Sequence, residues 1–260
     1  MKAINNNNPE INSEKLKQRI NQNIINQKLN FNKWIFSKIQ KSNNYKNILE
    51  LCCGTGNQTK YLSMIFNKAN IFCVDLSKES IDYIKKEKYY SSGRIKLVCE
   101  DIDNFFLYNK KKFDFIFCCY GLYYSKNVKN LLNEIYKYLN YQGKFVLIGP
   151  YGNNNKQIFE LLQKSKIPIK KHILSSSSSF MYDVLKHSTD LYQKIIIYTV
   201  KNEIKWFNID DLLTYWKNST FFYPSREFSV KNELINHYKK NKFFKNDKFI
   251  MLIIFEKHEK

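Results

Sequence analysis

The chain is short of arginine, of long apolar runs and of cysteine spaced for metal, and each shortage removes a class of function. Only Arg19, Arg94 and Arg226 are arginines, so lysine, spread from Lys2 to Lys260, carries most of the positive charge behind the +20 net charge. Readers of nucleic acid concentrate Arg and Lys on one face. A solvated basic surface is therefore the expectation, with an acidic partner left open through electrostatic steering. The longest purely apolar run, Phe249-Ile-Met-Leu-Ile-Ile-Phe255, is far too short to span a bilayer. The N-terminal stretch around Asn5–Asn8 has no apolar segment suited to secretion, so a cytoplasmic protein is expected. No Cys-x-x-Cys pair occurs among the six cysteines. The adjacent pairs Cys52–Cys53 and Cys118–Cys119 read as small buried hydrophobes in a reducing compartment. A thiol or metal site is the alternative, because strands one and four should be neighbours.

What is present points to one large α/β domain. The chain has 260 residues, 43% of them hydrophobic and 16% aromatic, enough to bury a full core. In Lys46-Asn-Ile-Leu-Glu-Leu-Cys-Cys-Gly-Thr-Gly56 an apolar strand ends in an acid and turns on two glycines. A strand running through a glycine turn into a helix brings bare backbone N–H groups close to a nucleotide-like ligand. Asp75 ends a second apolar strand, Asp101 follows a third, and Asp114 opens a fourth. Together these read as a nucleoside-binding half-domain. A nicotinamide oxidoreductase shares this logic, but Cys52-Cys-Gly-Thr-Gly-Asn-Gln-Thr59 lacks the third glycine of Gly-x-Gly-x-x-Gly.

Glu50-Leu-Cys-Cys-Gly-Thr-Gly56 resembles the Glu-x-Gly-x-Gly-x-Gly loop of the class I, seven-stranded methyltransferases that use S-adenosylmethionine (SAM), of the small-molecule type. The resemblance extends through Val146-Leu-Ile-Gly-Pro150 and covers residues 45–150 well. One departure is that the family's first loop glycine is Cys52. The resemblance implies a doubly wound, mostly parallel seven-stranded α/β sheet with an antiparallel last strand, N-terminal helices and a lid-like insertion before the final strands. It divides a single domain 1–260 into a helical cover (1–44), a SAM-binding core (45–150), a substrate lid (151–240) and a closing strand (241–260).

The same resemblance assigns cofactor contacts to Glu50, Cys52, Gly54, Gly56, Asp75, Leu76, Asp101, Ile102 and Cys118. Asp75, about twenty residues past the loop, is placed to accept from both ribose hydroxyls. Helix capping is its alternative role, one Ser77 can also fill. Leu76 would pack on adenine, and Asp101 would read the adenine amino group with the Ile102 N–H on the ring, although Glu100 or Asp103 could take that part. Glu50 orients the loop, or meets the SAM amino group through water as a bare carboxylate. Cys118 contributes its carbonyl. Tyr123 and Tyr124 stand where relatives face the substrate, or simply pack the following helix, and Trp216 belongs to a late aromatic cluster that lines an acceptor pocket or packs a core. A hydroxyl acceptor needs a general base, for which His172, His187, Tyr123, Tyr124 and Asp183 are candidates, none singled out. No metal motif appears. The expected function is methyl transfer to a small molecule, O-methylation favoured. The alternatives are an RNA or protein acceptor, or a degenerate fold used for binding.

Hydrophobic spacing predicts helices within 13–41 and near 57–66, 78–88, 127–139 and 154–165. Strands are predicted at about 47–52, 70–75, 95–99, 113–119 and 143–149, then at 195–200 and 247–255. Asn140-Tyr-Gln-Gly143 reads as a helix stop and turn, and Ser175–Ser179 as a flexible loop. Asn208 should cap a helix through Trp216, and Ser229 another through about Lys240.

Overall fold

The computed structural model describes residues 12–42 and 44–258, so the Asn5–Asn8 run lies outside the described residues. Two helices, α1 (Ser13–Asn26) and α2 (Phe31–Lys38), precede an alternating series. This runs β1 (Asn47–Leu51), α3 (Thr59–Ile65), β2 (Asn70–Asp75), α4 (Lys78–Ile84), β3 (Ile95–Cys99), α5 (Ile102–Tyr108), β4 (Phe113–Cys119), α6 (Val128–Tyr138) and β5 (Leu139–Pro150). There follow α7 (Lys156–Lys164), α8 (Lys171–Ser178), α9 (Phe180–Ser188), β6 (Lys194–Trp206), α10 (Ile209–Lys217), α11 (Glu227–Tyr238) and β7 (Phe244–Glu256). The strands make one seven-stranded sheet in the order β3-β2-β1-β4-β5-β7-β6. The first five pair in parallel, and the β5-β7-β6 end is antiparallel. This is the doubly wound class expected from alternating strands and helices.

The chain divides into two compact units. One comprises Ile35–Gly149, Phe180–Thr199 and Met251–Lys260. Its core is a stack of phenylalanines: Phe115 lies 5.1 Å from Phe66 and 6.4 Å from Phe117, and Phe145 stacks on Phe255 at 5.4 Å. Phe113, Phe115, Phe117, Phe145 and Phe255 are all fully buried, each contributing about 1.5–3 kcal/mol. At the amino edge the Asp114 carboxylate accepts from the Lys46 and Asn47 N–H groups and from Asn140 Nδ2. It thereby braces the starts of three adjacent strands. Asp114 is a structural clamp rather than part of a nucleoside site. Glu256, with little exposure, sits between Lys144 (2.9 Å) and Lys194 (3.1 Å) and ties the antiparallel end together.

The other unit comprises Met1–Trp34, Pro150–Ser179 and Val200–Ile250. Trp206, Tyr215 and Trp216 anchor its core with Leu162, Leu234 and Phe244. Within it, β6 is capped along its C-terminal half: Gln27 bridges Ile204, the Lys28 N–H donates to the Glu203 carbonyl, and the Asn202 amide exchanges bonds with both backbone groups of Leu29.

Three local expectations are corrected. Ser175–Ser178 lie in α8, with Ser179 as its C-cap, rather than in a flexible loop, because the Ser175, Ser176, Ser178 and Ser179 hydroxyls donate to carbonyls three or four residues back. Ser229 is inside α11, not its cap; Arg226 holds that position after a 3-10 turn begun by Pro224. Asn140–Gly143 is a shift of register inside β5, with Gln142 at φ +57°, and not a free turn. Asn208 does cap α10, accepting from the Asp211 N–H.

Candidate functional site

The five parallel strands deliver their C-terminal ends to one edge, where the turn after β1 carries three residues in the left-handed region. Cys52, Gly54 and Gly56 all take left-handed φ values of +55°, +52° and +81°. The Cys53 N–H reaches back to the Val74 carbonyl and the Gly56 N–H to Cys53. Gly56 is favoured by its φ of +81° and by space: a Cβ there would lie 2.2 Å from the Tyr89 hydroxyl and 2.9 Å from Ile84. That hydroxyl donates to the Gly56 carbonyl at 3.2 Å.

Cys52 occupies a backbone conformation that costs an L-residue about 1–2 kcal/mol. Its side chain turns toward β4, and a Cβ on Gly121 would meet the Cys52 Cβ at 2.2 Å and its Sγ at 2.6 Å. Gly121 thus makes the room that the thiol fills. A hydrogen bond to Cys118 and burial hold the Cys52 thiol well above its ordinary pKa. Cys53 is raised in the same sense, by burial first and then by its bond to Cys73. Protonated thiols are poor nucleophiles, so the thiol-chemistry alternative loses its footing. Among the described residues no group of three or more His, Cys, Asp or Glu is placed to hold a metal.

Asp75, at the end of β2, accepts from the Gly54 N–H at 2.7 Å and the Ser77 N–H at 2.9 Å. Ser77 in turn caps α4. The carboxylate is therefore a structural tie for the loop as well as an acid at the sheet edge, and its side chain is not simply solvent-facing. Beside it Leu76 is 41% exposed, a bare aliphatic surface next to the acid. Asp101 caps α5 by accepting from the Asp103 N–H at 3.0 Å, and its other oxygen meets Lys126 Nζ at 3.2 Å. Asp103 accepts from the Ser125 hydroxyl and the Lys126 N–H, and Glu100 from the Asp101 N–H. Ile102 is buried, and Cys118 pairs in register with Leu51. Tyr123 and Tyr124 stand in a 3-10 turn after β4 with rings 4.7 Å apart, and Tyr123 meets Phe180 edge-on at 5.7 Å.

Glu50 corrects the expectation of a bare carboxylate. It is 2% exposed, and its Oε2 accepts from the Thr59 hydroxyl at 2.6 Å and the Cys73 thiol at 3.7 Å. Burial pushes its pKa up to about 8, against those two bonds, so it is largely neutral at pH 7. An acid raised from 4.5 to about 8 holds extra protons in the folded state. Its stability contribution is complete below the lower value and lost as pH rises through the upper one. At about 1.4 kcal/mol per unit the loss is roughly a few kcal/mol. Glu50→Gln should remove this slope, so the stability difference between wild type and variant, read by denaturant unfolding across that window, should change with pH. A difference flat in pH would mean that Glu50 ionises normally.

Trp216 takes the second of its two expected roles, core packing, and is not placed to line an acceptor pocket. It is 2% exposed, packs edge-on against Phe222 at 4.9 Å and donates its indole N–H to the Phe221 carbonyl. That is core packing in the unit to which it belongs. His172 is exposed on α8, and Asp183 and His187 are exposed on α9. An open cavity of about 390 Å³, lined in part by Lys41, Tyr45, Asp114 and Tyr141, lies at the amino edge and contains none of the residues assigned to the cofactor or the acceptor. Sequence reasoning missed Thr59, Tyr89, Gly121, Lys126 and Phe180. Gly121 was discoverable, since a glycine directly after an apolar strand signals a close approach.

Residues 48–143 match a family described as a methyltransferase domain. The chain is 34% identical over 116 residues to malonyl-(acyl-carrier protein) O-methyltransferase 1 of Ilyobacter polytropus, covering 44% of this chain and 41% of that protein. It is 25% identical over 150 residues to a demethylmenaquinone methyltransferase of Leptospira interrogans, covering 56% and 60%. The chain therefore spans about two fifths to three fifths of the length of these relatives. The YcgJ protein of Bacillus subtilis shares the fold, with a TM-score of 0.62 over 88% of this chain and 98% of that one, at 14% identity. Fold, sheet order and matched residues agree: residues 48–143 are similar to a methyltransferase domain, and the chain shares the fold of the YcgJ protein.

Proposed function

We propose that the protein transfers the methyl group of SAM to a small-molecule acceptor, with oxygen as the favoured acceptor atom. The observation that carries this reading is the tie between Asp75 and the Gly54 N–H, which fixes the glycine loop against the β2 acid at one sheet edge. Around that tie Leu76 offers an apolar face, and Asp101 has one carboxylate oxygen paired with an exposed lysine. This donor and acceptor set fits an adenosyl ligand: Asp75 for the ribose hydroxyls, Leu76 and Ile102 for the ring, Asp101 for its amino group. Cys52, Gly54, Gly56 and the Cys118 carbonyl are assigned to the methionyl part, with Glu50 holding the loop through Thr59. When bound, SAM supplies an electrophilic methyl on a sulfonium.

The chain's own work is alignment and exclusion of water. Tyr123 and Tyr124 are assigned to the acceptor, and residues 151–240 to its selection. A carboxylate acceptor is already ionised at neutral pH and needs no base, whereas a hydroxyl does. The O-methyltransferase among the relatives is named for an acceptor on a carrier protein. The +20 charge suits a second reading in which the acceptor is borne by an anionic macromolecule. Turnover on such a partner would fall steeply with salt, and turnover on a free small acceptor would not.

Calorimetric titration with SAM and S-adenosylhomocysteine, with NADH as control, tests the reading. Dissociation constants on the order of micromolar for the adenosyl ligands alone are expected. A folded protein that binds neither would leave the domain as a binding module.

A further inference from the structure

Asp101, assigned above to the adenine amino group, has one carboxylate oxygen paired with Lys126. Its Nζ lies 3.2 Å from Asp101 Oδ2, with the lysine side chain 82% exposed and the aspartate 23%. The backbone around Lys126 is fixed independently: its N–H and the Ser125 hydroxyl both donate to Asp103. The ammonium is therefore tethered beside Asp101 by a short, anchored loop, and can leave it without disturbing that loop. Asp101 Oδ1 remains on the Asp103 N–H in either case.

We propose that Lys126 is an internal competitor for the adenine-reading carboxylate, and so biases which purine the site accepts. The proposal rests on the adenosyl reading above. An adenine amino group is a donor and must displace the lysine from Asp101. A ring bearing a carbonyl at that place is an acceptor, and the lysine, already held there, can donate to it. Lys126 thus taxes adenine by competing for Asp101, and favours hypoxanthine by donating to its carbonyl.

The test compares S-adenosylhomocysteine with S-inosylhomocysteine by calorimetry, using wild type, Lys126→Met, Asp101→Asn and the double variant at low and high salt. An exposed ion pair is weak, so Lys126→Met should tighten the adenosyl ligand about two- to five-fold at low salt. The gain should shrink at high salt and vanish when Asp101 is already Asn, while the inosyl ligand should bind more weakly. Equal changes for both ligands, no change, or a gain that survives Asp101→Asn would overturn the role of Lys126 alone. A folded wild type that binds neither ligand would overturn the adenosyl reading, and this role with it.

Discussion

Asp75→Ala lowers the affinity for S-adenosylhomocysteine by about a hundredfold or more, the largest effect expected of any single change. Two bonds from ribose hydroxyls to a carboxylate contribute about 1.5–3 kcal/mol each. Losing both exceeds the roughly 2.7 kcal/mol that a hundredfold requires. The alanine variant loses more than ligand contacts, because the Gly54 and Ser77 N–H groups would both lose their acceptor. Some loss of thermal stability should therefore accompany the loss of binding. Asp75→Asn separates the two roles. Its carboxamide nitrogen must face one of those N–H donors, so it keeps one tie and loses the other. Binding should fall less than in the alanine variant, in step with the surviving tie. A folded alanine variant with wild-type affinity would remove Asp75 from the cofactor site.

Gly121→Ala should destabilise the fold by about 1–3 kcal/mol, the range for overpacking. The added Cβ is fixed to the backbone and would lie 2.2 Å from another Cβ, that of Cys52, so no side-chain rotation relieves it. Cys52→Gly should be tolerated or should improve cofactor binding, since it relieves left-handed strain in the loop. The double variant Cys52→Gly/Gly121→Ala should recover most of what Gly121→Ala loses, because the new methyl occupies the space the thiol leaves. Denaturant unfolding of the four proteins measures the coupling. Additive losses would show that the two positions are independent. A large fall in cofactor affinity in Cys52→Gly would give the thiol a role of its own.

Much of the parallel half was legible because each strand there is an apolar run closed by an acid or a glycine, as at Glu50 and Asp75. Three of its helices start at recognisable caps: Ser77, Asp101 and Asn127 all accept from their first turns. Legibility failed where a side chain satisfied its own helix. The serines of α8 read as a loop by composition, yet the Ser175, Ser176 and Ser178 hydroxyls return to the helix's own carbonyls, three or four residues back. The candidate site was legible at the positions that motif spacing defines and not where distant residues meet. Nothing in the order of residues says that Cys52 fills the space left by Gly121, or that Glu50 is buried on Thr59 and kept neutral. Lys126 read as one lysine among many, and only the pairing of two loops distinguishes it.

The bonds that Gln27, Lys28 and Leu29 make along β6 also bear on how the protein behaves in crowded solution. A bare strand at the rim of a sheet is a template for any other chain with free backbone groups, and long β-branched strands such as this one are the most hazardous. Here the segment between the first two helices occupies part of that rim, while Lys194 and Lys201 place charge along the remainder. The N-terminal segment thereby guards against aggregation as well as adding helices, and a truncation that removed it would expose an adhesive edge even where the core was untouched.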